Sequence, residues 1–141
     1  MLDRVFVYGT LMEGGVFHGL VAPFVVEIVP ARVSGTLLDL GSYPGWVAGP
    51  GTVHGEVLTL HPIEAVLPAV DELEDFHGTG EPYNLYERET VRVETDDGPT
   101  LAWVYRFCGT TEGAKPVPGG RWPTNSARNP ETGNATRGTR T

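Results

Sequence analysis

Four acidic residues, Asp71, Glu72, Glu74 and Asp75, crowd one short apolar stretch, and only one falls where a carboxylate would be buried. With Ile63 as origin, Val66, Leu67, Val70 and Leu73 form one apolar stripe at about 100° per helical residue. Glu74 lies about 20° from that origin, inside the stripe, whereas Glu72 lies about 180° and Asp75 about 120° away. A buried carboxylate must be hydrogen-bonded, paired with an arginine, or protonated. Partial burial also raises its pKa toward the range where one group can serve as both base and acid. Glu74 is thus a candidate proton carrier. The same placement suits a structural carboxylate, and helical geometry leaves both open.

Two further patterns have chemical content. Tyr8-Gly9-Thr10-Leu11 ends an apolar run, and glycine there lets the backbone turn sharply and present N–H groups to a carboxylate or oxyanion. An ordinary strand-ending turn has the same pattern. Tyr86 and Arg88 alternate on a strand, so a phenol and a guanidinium could face one pocket, although the spacing alone favours a buried tyrosine beside a surface arginine. Other chemistries lack their residues. There is no Gly-x-Gly-x-x-Gly, no Walker-type loop and no Gly-x-Ser-x-Gly elbow. One cysteine, Cys108, excludes an internal disulfide, and the four histidines are dispersed without metal-ligand spacing, so no metal is expected.

The elements that must hold these residues follow from punctuation and periodicity. Arg4 to Tyr8 is a short buried strand, and a short helix precedes Pro23. Arg32 to Leu40, Trp46 to Ala48 and Val53 to Leu60 are strands, with Gly41 to Gly45 as a loop. Pro62 to Phe76 is a helix, with Pro68 expected to kink or restart it. Leu85 to Glu94 and Thr100 to Phe107 are strands joined by Asp96-Asp97-Gly98, a hairpin signal. Five or six strands and one firm helix make an α+β fold, a small mixed β-barrel or strongly twisted sheet flanked by one or two helices.

The 141 residues suit one domain, and the charge is uneven. Residues 109–141 carry a net +3, so the first 108 carry −11 of the total −8. A body that acidic disfavours nucleic acid. The longest stretch without a charge, Leu40 to Gly55, holds five glycines and two prolines and cannot span a membrane as a helix. Asp3 and Arg4 directly precede the first apolar run, unlike a signal peptide, and a cytoplasmic location is expected. After Val117 the only large apolar side chain is Trp122. Residues 1–108 are therefore expected to be the domain, and 109–141 a flexible Gly/Pro/Arg-rich tail tethered at Pro118 to Trp122.

Taken together these pieces resemble a known family. Val5-Phe6-Val7-Tyr8-Gly9-Thr10-Leu11 looks like the opening of the γ-glutamylcyclotransferase-like superfamily, which includes AIG2-like proteins and γ-glutamylamine cyclotransferases. Leu40-Gly41-Ser42-Tyr43-Pro44 resembles its glycine-x-tyrosine-proline loop and Val53-His54-Gly55-Glu56-Val57 its central strand. Val70-Asp71-Glu72-Leu73-Glu74 resembles its Leu-Asp-x-x-Glu signature, followed by Tyr86-x-Arg88 and Ala102-Trp103-Val104-Tyr105. The resemblance covers about residues 4 to 107 and implies a small mixed barrel flanked by helices. It also implies that Glu74 is catalytic, that Tyr8, Gly9, Thr10 and Leu11 bind the γ-glutamyl group mainly through backbone N–H groups, and that Tyr86 lines the pocket. Two departures stand out: Asp75 occupies the place of the family's usual glycine, and the loop from His77 to Asn84 is long.

The implied reaction is cyclisation of a γ-glutamyl amine or amide to 5-oxoproline, with release of the amine or amino acid and no cofactor. Alternatives are removal of a γ-glutamyl protecting group from a natural-product intermediate, or a non-catalytic γ-glutamyl-binding module. The expected partner is the small-molecule substrate, with neither nucleic acid nor membrane; monomer and homodimer remain open.

Overall fold

A computed structural model describes residues 2–123. Strand β1 is Arg4–Val7, followed by two single 3₁₀ turns, His18–Leu20 and Ala22–Phe24. Then come β2 (Val25–Asp39), β3 (Pro44–Leu60), helix α1 (Ile63–Leu73), β4 (Tyr86–Thr95), β5 (Gly98–Phe107) and β6 (Lys115–Pro116). The expected α+β class holds. The six strands form one mixed sheet whose pairings close into a ring: β2 to β3, β3 to β5, β5 to β4 and β4 back to β2. β1 lies antiparallel to β3 and parallel to β5.

The β2–β3 hairpin is longer than sequence punctuation predicts. Its register runs from Val25↔Leu60 to Asp39↔Pro44, so β2 starts before Arg32 and the two short strands expected at 46–48 and 53–60 are one. The reason is a bulge: the register jumps from Ser34↔Thr52 to Thr36↔Val47, leaving Ala48-Gly49-Pro50-Gly51 outside the ladder. Gly51 has φ 109°, and the Thr36 hydroxyl donates to the Pro50 carbonyl at 2.6 Å. Pro30 is tolerated because β4 meets β2 only at Ala31 and Arg32, leaving an open edge before them. The short helix expected before Pro23 is a single 3₁₀ turn, His18–Leu20, and the second turn, Ala22–Phe24, spans the proline.

α1 buries Ile63, Val66, Leu67 and Val70 of the stripe read from periodicity, and Leu73 is half-buried against the core. Of the kink or restart expected at Pro68, the restart does not occur: α1 runs through the proline as one helix. Pro68 and Glu64, whose carbonyl loses its helical partner to the proline, are both exposed, so that carbonyl stays open to water.

Packing does not stop at Cys108, where the tail was expected to begin. β6 pairs with the end of β2, Val117 N–H donates to Leu37 at 2.8 Å, and Val117 and Trp122 are buried in the core. The tether expected at Pro118 to Trp122 is thus part of the packed domain, and residues 124–141 of the expected tail lie outside the described residues. No helix among the described residues is long and apolar enough to cross a membrane.

Candidate active site

Glu74 is 0% exposed and caps the C-terminus of α1. The helix ends in a Schellman motif: Asp75 N–H donates to Glu72 at 3.1 Å and Phe76 N–H to Asp71 at 2.9 Å. That motif needs a left-handed residue just past the cap, and Asp75 fills it with φ 58°. Glycine adopts this conformation without strain, while aspartate is one of the few side chains that tolerates it. The departure at Asp75 is thereby accounted for. Its carboxylate meets His77 Nε2 at 2.6 Å near the surface. The 77–84 loop is stapled by Asn84, which accepts His77 N–H at 2.7 Å and donates to Gly78 and Glu87 at 2.8 and 2.9 Å.

One turn before Glu74, Asp71 anchors the helix end to the sheet. It accepts the Tyr105 hydroxyl at 2.6 Å, and Arg88 Nε and Nη2 at 2.8 and 3.2 Å. The Arg88 guanidinium is held between the rings of Trp103, 4.4 Å away, and Phe76, 5.2 Å away. Arg88 therefore holds the helix rather than sharing a pocket with Tyr86. Sequence reasoning gave Asp71 and Tyr105 no role. The available signal was an acid one turn before Glu74, at the rim of the apolar stripe, with an arginine downstream to pair with it.

The phenols around Glu74 are struts. Tyr8 OH donates to the Tyr105 carbonyl at 2.7 Å and accepts Trp46 N–H at 3.2 Å, tying β1, β5 and β3 together. Tyr86, fully buried, donates to the Pro44 carbonyl at 2.8 Å. Burial pushes the Tyr8 hydroxyl well above the usual tyrosine range, and the negative charge of Glu74 adds to this. Tyr105 is raised first by burial, then by Asp71, with Glu74 contributing less. Glu74, Tyr8 and Tyr105 thus share one buried, electrostatically connected neighbourhood.

The Tyr8–Leu11 segment turns as expected. Met12 N–H donates to Gly9 at 3.1 Å, and Phe17 N–H donates to the Thr10 carbonyl at 2.8 Å. A planar trans peptide aims its N–H opposite its C=O, so Leu11 N–H points away from Phe17. Among the described residues, the N–H groups of Gly9 and Leu11 find no acceptor, although Leu11 is fully buried. Buried N–H groups without a protein acceptor are rare in folded proteins, so these two donors need a partner from outside the described chain or a structural explanation.

The chain belongs to the γ-glutamyl cyclotransferase, AIG2-like family, whose model matches residues 5–124. A γ-L-glutamyl-butirosin B γ-glutamyl cyclotransferase from Niallia circulans is 34% identical over 107 residues, covering 75% of this chain and 67% of that one. The solution structure of ytfP from Escherichia coli matches with TM-score 0.58 and 31% identity, over 84% of this chain and 95% of the other. YkqA from Bacillus subtilis matches with TM-score 0.66 and 29% identity over 86% of this chain, which spans 40% of that longer protein.

Proposed function

We propose that this protein cyclises a γ-glutamyl amine or amide to 5-oxoproline, releasing the amine or amino acid. The observation that carries this is the fully buried Glu74 carboxylate in one neighbourhood with Tyr8, whose strand leads into the turn bearing the Gly9 and Leu11 N–H groups. In the proposed mechanism those N–H groups bind the substrate's α-carboxylate. The α-ammonium gives a proton to Glu74, and the freed nitrogen attacks the γ-carbonyl carbon. The tetrahedral adduct collapses as the bond to the departing nitrogen breaks, and Glu74 returns its proton to that nitrogen; Glu74 then takes the second proton from the ring nitrogen and passes it to the released amine, which leaves as an ammonium. Atoms and charge balance without a co-reactant. Tethering makes the attack unimolecular, so orientation supplies much of the rate. Tyr8 and Tyr86 serve as walls that hold β1 and β4 in place.

Glu74 and Leu11 are fully buried, so in this mechanism substrate binding accompanies a local opening around them. A second reading keeps the chemistry and changes the substrate to a γ-glutamyl group protecting an amine of a natural-product intermediate. The named activity of the Niallia circulans relative supports it.

The test is mass spectrometry of purified protein with γ-glutamyl amino acids, γ-glutamyl amines and γ-glutamyl-aminoglycosides, reading 5-oxoproline. Product with wild type and none with Glu74→Gln supports the reaction and ranks substrates. No product across the panel defeats it, and ligand-induced thermal shifts then test for a binding module.

A further inference from the structure

The turn that carries the Gly9 and Leu11 N–H groups runs into a loop that consumes four consecutive carbonyls. Gly9 accepts Met12 N–H at 3.1 Å, Thr10 accepts Phe17 N–H at 2.8 Å and Met12 accepts Gly15 N–H at 2.7 Å. The fourth, Leu11, is held by a side chain: His18 Nδ1 lies 2.8 Å from its carbonyl oxygen. A carbonyl only accepts, so Nδ1 carries the proton. The loop is also fastened from outside. Glu56 stands opposite Val7 in the β1–β3 ladder, and its Oε1 accepts Glu13 N–H at 2.9 Å across 43 residues of sequence. Gly15 packs so closely on the Thr10 carbonyl that a Cβ there would run into it, which leaves the loop little freedom. Burial holds the half-buried Glu56 carboxyl above its ordinary value, with the Glu13 N–H lowering it, the Glu13 charge raising it and the nearby His18 lowering it in smaller measure.

We propose that Glu56 and His18 are positioning residues for the γ-glutamyl site. They act through residues 9–18 to keep the Gly9 and Leu11 N–H groups aimed at the substrate carboxylate, and neither touches the reacting atoms. This rests on the function proposed above. The physical reason is the rigid peptide plane. Holding the Leu11 carbonyl and the Glu13 N–H fixes the 11–12 and 12–13 peptide planes, and the turn bond from Met12 N–H to the Gly9 carbonyl passes that restraint to the preceding planes that carry the Gly9 and Leu11 donors. Preorganised donors lose no orientational freedom when the ligand binds.

The experiment compares Glu56→Ala, Glu56→Gln, His18→Ala and His18→Asn in the full chain, using the γ-glutamyl compound that wild type turns over best. The alanine variants are expected to raise KM about tenfold with kcat within about threefold, the signature of lost uniform binding. Glu56→Gln and His18→Asn are expected to restore KM. A glutamine oxygen still accepts Glu13 N–H, and an asparagine amide still donates to Leu11. Hydrogen exchange of the Glu13 and Phe17 amides should accelerate in the alanine variants and slow again in the rescue pair. Unchanged KM in both alanine variants overturns the proposal. A fall in kcat at constant KM does so too, because it places the residue in the proton transfers. If one alanine variant fails to fold, the other and its rescue decide. If wild type turns over nothing, the proposed function falls while exchange still judges the two staples. Unchanged protection overturns them, and protection lost and then rescued upholds them.

Discussion

Glu74 combines two constraints in one residue: it caps α1, and its carboxylate is fully buried among Tyr8 and Tyr105. Glu74→Gln keeps the volume and a carbonyl oxygen but cannot carry a proton between the two nitrogens. It is expected to lower kcat by about 10²–10⁴-fold, the usual worth of general acid–base catalysis. Circular dichroism and thermal melting should be unchanged; a folded variant with wild-type kcat removes Glu74 from the chemistry. Asp75 gives a stability test at the next position. Asp75→Gly relieves the left-handed backbone, gives up a near-surface contact to His77, and should stay within about 1 kcal/mol of wild type. Asp75→Val puts a branched side chain at φ 58° and should cost about 1–2 kcal/mol or more in urea unfolding. Equal stability of the two variants would show that the left-handed cap is not what the position demands.

At the level of elements, the question is what keeps the end of α1 against the sheet. Asp71 receives bonds from β4 through Arg88 and from β5 through Tyr105, at side chains only about a fifth exposed (19% and 20% for Arg88 and Asp71). Removing the acid leaves a guanidinium and a phenol without their shared acceptor. Asp71→Ala is therefore expected to lose about 1–3 kcal/mol of stability. Asp71 sets where the helix end sits, so the same variant should also lower kcat although it does not touch substrate. A loss of stability with full turnover per folded molecule would mean the Asp71 anchor does not orient Glu74.

Across the whole molecule, the segment after Cys108 closes the domain. Trp122 is 5% exposed and belongs to the main core cluster. Trp122→Ala should cost about 3–5 kcal/mol. A chain ended after Cys108 should unfold at lower temperature still, whereas one ended after Pro123 keeps every contact described for residues 2–123. Full turnover of the shorter chain would show that β6 and Trp122 are dispensable. Alkaline pH offers a second global test. The Tyr8 and Tyr105 hydroxyls are raised well above their ordinary value by burial, so the folded state keeps protons that the unfolded state releases. Their contribution is fully present below about pH 10, where the unfolded phenols are still protonated, and is lost as pH rises above it. Thermal melting from pH 8 to 11 should fall steeply only above about pH 10.

Much of this is legible in the amino-acid sequence, for identifiable reasons. A 3.6-residue period reports directly which helical face is buried, and it singled out Glu74 among four neighbouring acids. Glycine after a β-branched run reports a turn, and Gly9 is one. Both signals are local, carried within a few residues. Errors arose where a local signal was overruled by a distant neighbour. Pro50 and its flanking glycines read as a strand end, yet the paired length of β2 bridged them with a bulge. Pro68 allowed a restart of the helix, yet the buried face of α1 carries one helix through it. The polar composition after Cys108 read as a tail, although the core had room for Val117 and Trp122. The partners of the site were hidden for the same reason. Arg88 meets Asp71 across 17 residues, Tyr105 meets it across 34, and Glu56 reaches Glu13 across 43. Which side chains are buried is written in local periodicity. Which of them meet depends on the strand register that closes the sheet into a ring, and that is a property of the folded chain as a whole.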